Sequence, residues 1–317
     1  MENNLPLVTI VISCRNEEGF IANCLGSFLE QDYPKDKMEI LVVDGMSQDN
    51  TRKIINDYLA KYSFIKLIDN LNKFTPFAFN LGIKSSKGEI IFLAGAHAKY
   101  DKNFILKSVQ SLYEYKADVA GGALKTVPKK NTIWAKAIAF SLASSFGAGN
   151  SAFRVGVDKP TWVDTVFGGG YKKEVFDKVG LFNENLIRSQ DMEFAQRMKK
   201  AGIKILIVPD IVAYYYPKHT LIGFLKHNFK DGIWAVYPLK FVKIPFKLRH
   251  YIPLIFVLTL PISIWPYIIV SLYFSWKIAS REKDAKLFFV LPVVFFVRHF
   301  SYGLGSFFGL IKLIIGK

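Results

Sequence analysis

Three apolar runs in the first hundred residues each end in polar side chains able to grip a small polar ligand. VTIVIS (Val8–Ser13) leads into Arg15, Asn16 and Glu17. EILVVD (Glu39–Asp44) leads into Ser47 and Asp49, and EIIFLA (Glu89–Ala94) leads into Gly95, Ala96 and His97. Carboxylates accept N–H donors, and a guanidinium offers donors and positive charge. Such groups need a scaffold that brings them to one place. Short β-rich apolar runs read as buried strands, and amphipathic stretches lie between them. Glu18–Gln31 puts Phe20, Ile21, Cys24, Leu25, Phe28 and Leu29 on one helical face, and Ile54, Ile55, Tyr58 and Leu59 share another. Ile65–Ile68 predicts a third strand and Pro76–Ser86 a helix. This alternation predicts a largely parallel sheet covered on both faces. Ligands bind such sheets beyond the carboxyl ends of the strands, where these polar residues stand. Taken singly each reads as a turn or cap residue, Asp49 above all; as a set at three strand ends they read as a ligand site.

Composition narrows the class. The chain has 317 residues, 51% hydrophobic and 15% aromatic, yet a formal net charge of +16; its mean hydropathy is +0.20. Disordered chains are poor in these residues, so disorder is excluded. Cys14 and Cys24, the two cysteines, lie in apolar segments and read as reduced core thiols, which excludes a disulfide-stapled scaffold. An apolar and basic chain fits an anionic membrane or an anionic ligand. No nucleic-acid motif is present and the basic residues cluster beside apolar runs, so no nucleic-acid partner is expected.

The apolar excess is concentrated late in the chain. Tyr251–Trp276 is 26 residues without a charge, and Leu287–Ile315 is broken only by Arg298, His299 and Lys312. About 20 apolar residues span a bilayer core, so the first run is long enough to cross once. Pro261 and Pro266 equally allow a kinked or re-entrant pair of half-helices, and a buried soluble helix is the third reading. Lys240, Lys243, Lys247 and Arg249 precede the run with no acid between them, which fits a cytoplasmic border and contact with anionic membrane lipids. The loop Lys277–Lys286 is also net positive, so the topology stays open. Met1–Leu7 is short and polar and lacks the features of a signal peptide, so the N-terminal part is expected at the cytoplasmic face of the cell membrane.

Several ordered segments resemble the family 2 inverting glycosyltransferases of GT-A fold, in particular the membrane-attached, succinoglycan-type exopolysaccharide branch. VTIVISCRNEEGFIANCLGSFLEQDYP with MEILVVDGMSQDNT resembles the family's first nucleotide-binding segment, and NKFTPFAFNLGIKSSKGEIIFLAGAHAKY its second. VDTVFGGGYKKEVFDKVGLFNENLIRSQDMEFAQRMKKAG resembles its acceptor and base segment. YYYPKHTLIGFLKHNFKDGIW resembles the family's next segment in chain order, and HFSYGLGSFFGLI fits its C-terminal end. The resemblance implies a Rossmann-like mixed α/β sheet with helices on both faces, followed by a C-terminal α-helical membrane segment. It implies residues 1–235 as catalytic domain and 236–317 as basic juxtamembrane segment and membrane helices. The implied reaction moves one sugar from a nucleotide-diphosphate sugar, UDP- or GDP-linked, to a lipid-linked glycan or polyprenyl-type acceptor; self-association into a homo-oligomer is compatible with it.

The resemblance also implies roles for residues. Asp44 matches the acid that contacts the nucleotide base. Ser13, Arg15, Asn16, Glu17, Ser47, Gly95 and Ala96 line the nucleotide-sugar loops. Lys73 stands where a cation precedes the A-x-N helix (Ala78-Phe79-Asn80) and suits a phosphate; alternatively it is a solvated lysine. Asp191, in Ser189-Gln190-Asp191-Met192-Glu193, matches the general base, which would take the acceptor proton as the C–O bond forms; the other reading is a helix N-cap. Asp164, Gly169, Gln190, Lys218 and Trp234 fall in the acceptor and diphosphate region, with Trp234 reading equally as an interfacial tryptophan. Thr132–Ser145 reads as an interfacial amphipathic helix near the acceptor or as a core helix.

Two departures stand out. The family's metal motif is Asp-x-Asp or Asp-x-His, and this chain has Gly95-Ala96-His97. His97 alone remains for a divalent ion, Mn²⁺ in preference to Mg²⁺ because of its imidazole, and weakened metal affinity is the expected consequence. That loss motivates the rival expectation of a catalytically weakened nucleotide-sugar-binding or scaffold protein. The second departure is Asn228 and Asp231, where related enzymes tend to have Gln and Tyr or Arg. The Q-x-x-R-W signature of processive synthases is absent, which argues for transfer of one sugar.

Overall fold

The computed structural model describes residues 5–242 and 247–315; Lys243 of the basic segment and the first four residues lie outside the described residues. The chain divides into two compact units. One comprises the residues up to Leu124 with Gly156–Tyr215, the other Lys125–Val155 with the residues from Tyr216 onward.

The first unit opens as expected. β1 (Val8–Cys14), α1 (Ile21–Leu29), β2 (Met38–Asp44), α2 (Thr51–Leu59), β3 (Ile65–Asp69), α3 (Thr75–Ser85) and β4 (Ile90–Gly95) alternate. The strands lie in the order β3-β2-β1-β4, all parallel. β2 is buried along its whole length and β1 nearly so, which is why their sequences are almost continuously apolar. α1 buries Ile21, Cys24, Leu25 and Phe28. It starts three residues later than the periodicity from Glu18 indicated, because Asn16–Glu18 hydrogen-bond to the loop after β2 instead.

Beyond β4 the parallel pattern stops. The chain continues through β5 (Ala98–Tyr100), α4 (Phe104–Glu114) and β6 (Val119–Thr126), then α5 (Ile133–Leu142), α6 (Ser145–Ala148) and α7 (Ala152–Val155) of the second unit. It returns as β7 (Thr161–Val163), β8 (Phe167–Lys172), α8 (Glu174–Val179), α9 (Gln190–Lys200) and β9 (Ile205–Tyr215). The sheet extends as β4-β8-β6-β9-β5, with β7 on β9. β8 runs antiparallel to β4 and β6, and β9 antiparallel to β5 and β7. The sheet is therefore mixed, and the purely parallel part is confined to β1–β4. Register decides what the loops can do: Cys14 lies opposite Asp44, Ser13 opposite Gly95, and Asp44 opposite Asp69, so the loops leave the sheet at one level.

The second unit is helical. α5 packs with α10 (Leu221–Val236), α11 (Ile252–Leu258) and α12 (Leu260–Glu282) around α13 (Lys286–Ile315). The charge-free run is not one helix. It breaks at Thr259, and Pro261, which has no N–H to donate, opens α12; Pro266 sits inside α12 without ending it. α12 and α13 are each long and apolar enough to cross a membrane, by length and composition. α12 leaves Ile262 (80%), Trp265, Ile269 and Trp276 largely exposed, unlike the core helix of a soluble protein. α5 buries Ala135, Ala137, Ile138, Ala139 and Leu142, so its body is a core helix of this unit, with Trp134 exposed at its start.

Backbone contact holds α10 against α13. A Cβ on Gly232 would strike the carbonyl of Tyr302, and one on Gly305 the carbonyl of Phe229, the close approach that small residues permit. Polar groups pin the same unit: Arg298 donates to the carbonyl of Gly147 and to Asn228 Oδ1 at 3.0 Å. The Tyr267 hydroxyl lies 3.0 Å from His299 Nδ1, and His299 Nε2 lies 3.1 Å from the Phe146 carbonyl. In apolar surroundings such bonds are strengthened and their loss is expensive. Replacing Gly232 by Val should force α10 off α13 and lower stability by about 1–3 kcal/mol. The measurement is the thermal midpoint of purified protein, and an unchanged midpoint would mean that the helices can separate freely.

Candidate active site

The loops after β1 and β2 are laced together around one buried carboxylate. Asp44 ends β2 with its side chain fully buried. It accepts from the Ser47 hydroxyl and from the Ser47 N–H at 3.0 Å, from Arg52 Nη1 at 2.8 Å, and sits 3.7 Å from the Cys14 thiol. A carboxylate has about four acceptor positions, and the protein occupies them all. Burial and the adjacent Asp44 charge both push the Cys14 thiol up, which keeps it an inert thiol. Ser47 also accepts from Asn16 N–H at 2.8 Å, while Asn16 Oδ1 accepts from Gln48 N–H. Asn16 adopts the left-handed conformation, with φ 54°. Glu17 N–H donates to Thr51 Oγ1 at 2.7 Å. Asp49 is a turn residue before the N-cap Asn50: its carboxylate accepts from the N–H groups of Thr51 and Glu18, which helps hold its pKa down.

Arg52 extends this network to the third strand. The same Nη1 lies 2.8 Å from Asp69 Oδ1, so one guanidinium ties the ends of β2 and β3. The motifs pointed to neither Arg52 nor Asp69. The available signal was physical: an acid ending a wholly buried strand requires a compensating donor, and a cation in the first turn of the following helix is placed to supply it. Gly45 permits the remaining approach. A Cβ there would lie 2.8 Å from the Lys73 carbonyl and 3.1 Å from the Arg15 side chain. Arg15 and Lys73, both exposed, are thereby brought to the same loop, and Lys73 itself is left-handed at φ 68°.

At the end of β4, Ala96 is buried and its N–H reaches the Ser13 carbonyl at 3.4 Å. Half-exposed His97 has Nδ1 3.7 Å from Glu17 Oε1 and its ring edge-on to Tyr215, centroids 5.5 Å apart. A Cβ on Gly95 would meet the His97 ring at 3.4 Å. Among the described residues no three His, Cys, Asp or Glu side chains gather into a metal site. The residues present therefore fit a divalent ion only when a ligand's own oxygens complete the set.

Asp191 belongs to another helix of the first unit. α9 begins at Gln190 after Ser189, which occupies the N-cap position in the left-handed conformation at φ 60°. Asp191 is therefore an exposed first-turn residue and not the N-cap; the helix dipole favours a negative charge there. After burial, its charge is a further cause pushing the buried Tyr171 phenol up, which puts the carboxylate near β8. Buried Glu193 fixes the helix, taking Arg197 bidentately at 2.6 and 2.9 Å, and Arg197 donates to the carbonyls of Val179 and Leu181. Asp164 pairs with Lys199 at 3.3 Å. The buried Gln190 Oε1 has no hydrogen-bond partner in the protein.

Asn80 is buried and spends its amide on Phe182 N–H and carbonyl and on Glu184, all at 2.9 Å. It thus anchors the loop leading to α9 and has no donor left for a ligand. Gly169 is buried in β8 against Val166 and Ala120. Lys218 and Trp234 belong to the second unit: Lys218 lies over Gly223 in the first turn of α10, and Trp234 packs edge-on to Tyr237 at 5.5 Å.

The model of the glycosyl transferase family 2 matches residues 9–180, more than half of the chain. This protein belongs to that family. It is a glycosyltransferase. A dolichyl N-acetyl-alpha-D-glucosaminyl phosphate 3-beta-D-2,3-diacetamido-2,3-dideoxy-beta-D-glucuronosyltransferase of Methanococcus voltae is 28% identical over 321 residues, 97% of this chain and 98% of the relative. The succinoglycan biosynthesis protein ExoA of Rhizobium meliloti is 25% identical and aligns over 75% of this chain and 76% of its own length. Among solved structures, the Pyrobaculum calidifontis mannosyltransferase PcManGT, in complex with GDP-Man and Mn²⁺, superposes with a TM-score of 0.63 at 18% identity, covering 99% of this chain and 89% of that one. The likeness is one of fold, and the fold is GT-A.

The Asp44–Arg52 contact sets a measurable coupling. Arg52→Met should destabilise the family 2 domain by about 1–3 kcal/mol, below the loss for a wholly buried pair because Arg52 is one-third exposed. Adding Asp44→Asn should recover part of that loss. Urea unfolding of the two single variants and the double variant tests this, and strict additivity would remove the ion pair from the account.

Proposed function

We propose that this glycosyltransferase is membrane-attached and inverting, and moves one sugar from a UDP- or GDP-sugar to a lipid-linked glycan or polyprenyl-type acceptor at the cytoplasmic face. The observation that carries the reading is Asp191. It is an exposed carboxylate in the first turn of a helix held in place by Arg197, which Glu193 of the same helix orients and which donates to the carbonyls of Val179 and Leu181. A base held this way can accept the acceptor hydroxyl's proton while the new C1–O bond forms and the bond to the diphosphate breaks. Attack on the face opposite the leaving group inverts the anomeric carbon, through an oxocarbenium-like transition state. Gln190 Oε1, buried without a protein partner, is available to accept from a hydroxyl of a bound sugar.

Binding of the donor falls to the laced loops. Arg15 and Lys73, brought together at Gly45, present positive charge suited to phosphate. Ser13, Asn16, Glu17 and Ser47 shape the loop, and Asp44 acts on the nucleotide through Ser47 and Arg52 unless a ligand displaces one of them. His97, with Glu17 beside it, would hold a divalent ion together with the donor's phosphate oxygens. When bound, that ion neutralises the charge developing on the leaving diphosphate. The Methanococcus voltae relative, matched along almost its whole length, is named for a dolichyl-phosphate-linked acceptor, which favours a lipid-linked acceptor here. α12 and α13 favour membrane attachment.

Purified full-length protein should transfer sugar from one member of a UDP- and GDP-sugar panel to a polyprenyl-phosphate-linked acceptor, with mass detection of product and NMR of the anomeric proton. Asp191→Asn should lower kcat about 10²- to 10⁴-fold with nucleotide affinity unchanged. Full activity in that variant would exclude Asp191 as base, and no transfer from any donor would favour a nucleotide-sugar-binding protein without turnover. EDTA should reduce activity and Mn²⁺ restore it. Gly95→Asp, which sets a carboxylate against His97, should tighten Mn²⁺ binding measured calorimetrically with nucleoside diphosphate present; an unchanged affinity would remove His97 from the metal site.

A further inference from the structure

The carboxylate that the family resemblance gives to the nucleotide base has no acceptor position left for one. The Asp44 side chain is wholly buried, and Ser47, Arg52 and Cys14 surround its oxygens. The parallel register sets a second acid beside it. Asp69 lies opposite Asp44 at the end of β3, the edge strand of the sheet, and its side chain is 53% exposed. Arg52, one-third exposed, joins the two, with Nη1 2.8 Å from Asp44 Oδ2 and 2.8 Å from Asp69 Oδ1. Among the described residues, Asp69 Oδ2 and Arg52 Nε and Nη2 make no hydrogen bond within the protein. A carboxylate only accepts and a guanidinium only donates. The pair therefore presents an acceptor beside a donor where β2 and β3 end.

The loop that leaves β3 suits a flat heterocycle. Asn70 pins it, donating its N–H to the Asp44 carbonyl at 2.8 Å and its amide to the Phe74 carbonyl at 2.9 Å. The loop carries Leu71, 73% exposed, and Phe74, 43% exposed. These offer apolar surface to a ring face while the Asp69–Arg52 pair meets the ring edge. The strand order β3-β2-β1-β4 at about 4.8 Å per strand puts the ends of β3 and β4 about 14 Å apart. A nucleoside diphosphate laid across those ends has its base at Asp69 and its diphosphate toward Arg15 and His97. Uracil and guanine each carry a ring N–H beside a carbonyl, whereas neutral cytosine and adenine have no such N–H on that edge. From this juxtaposition we propose that Asp69 and Arg52, in place of Asp44, read the base of the donor nucleotide. Asp69 Oδ2 accepts the ring N–H, and Arg52 donates to the adjacent carbonyl. The assignment rests on the nucleotide-sugar donor proposed above and names the residues that choose its base.

Calorimetric titration of the full-length protein with UDP, GDP, CDP, ADP and inorganic diphosphate, each with Mn²⁺, tests it. UDP or GDP should bind more tightly than CDP and ADP. In Asp69→Asn, Arg52 holds the amide oxygen and the amide N–H₂ takes the place of Oδ2, so a donor faces the ring N–H. Affinity for the preferred nucleotide should fall about 10- to 100-fold, the range of a hydrogen bond to a charged group. CDP, whose ring N3 accepts, should bind more tightly to the variant, and inorganic diphosphate should bind as before. Equal losses for the nucleotides and inorganic diphosphate would make Asp69 a support of the loop and overturn the proposal. A variant that keeps the original affinities and preference overturns it, as does tighter binding of CDP or ADP by the unmodified protein. In each of those cases the nucleotide donor stands. No binding of any nucleoside diphosphate by the unmodified protein would instead remove the nucleotide-sugar donor, and the proposal with it.

Discussion

The buried carboxylate of Asp44 is the constraint on which the loops after β1, β2 and β3 depend. A charge taken wholly out of water must be compensated in place, and the compensating groups come from three different segments. Ser47 belongs to the loop after β2, Arg52 to α2 and Cys14 to the end of β1. Through Ser47 the network reaches Asn16, and through Arg52 it reaches Asp69 at the end of β3. The loops that would hold a nucleotide are thus fixed before any ligand arrives, and preorganisation of this kind reduces the entropy lost on binding. Asp44 therefore reads as the keystone of the loops, with the surface presented to a ligand made by its neighbours.

Asp191 is placed by a different device. Its helix is held through the Glu193–Arg197 pair and Arg197's bonds to the Val179 and Leu181 carbonyls, and Asn80 secures the preceding loop at Phe182 and Glu184. Asp191 itself stays exposed. Rigid support around an accessible carboxylate suits a group that must meet a hydroxyl in one geometry. The second unit meets another requirement, close helix packing among largely apolar helices. There glycines at backbone contacts and the hydrogen bonds of Arg298 and His299 supply what hydrophobic burial alone would not specify.

Much of this was legible in residue order. The strand–helix alternation from Val8 to Gly95 came from period and run length, since a strand buried on both faces leaves an unbroken apolar run. The turn role of Asp49 was legible through its place before a helix. Asn80 shows the limit: its motif pointed to the nucleotide, whereas its amide is consumed inside the protein, because hydrogen-bond partners 102 residues away in sequence leave no local trace. Arg52 and Asp69 were missed for the same reason, each being an ordinary charged residue until the parallel register sets their strands and helices side by side.

The sequence by itself determined the class of chemistry, the parallel first half of the sheet and the two long apolar helices, because each is written in local period, composition or motif. The tertiary structure alone decided that the sheet turns antiparallel beyond β4 and that the charge-free run breaks at Thr259. It also decided that α5 packs with the C-terminal helices, which polar residues bond to one another and which stay exposed. Those outcomes depend on long-range pairing and on satisfying buried polar groups, and both are settled only when distant segments compete for the same interior.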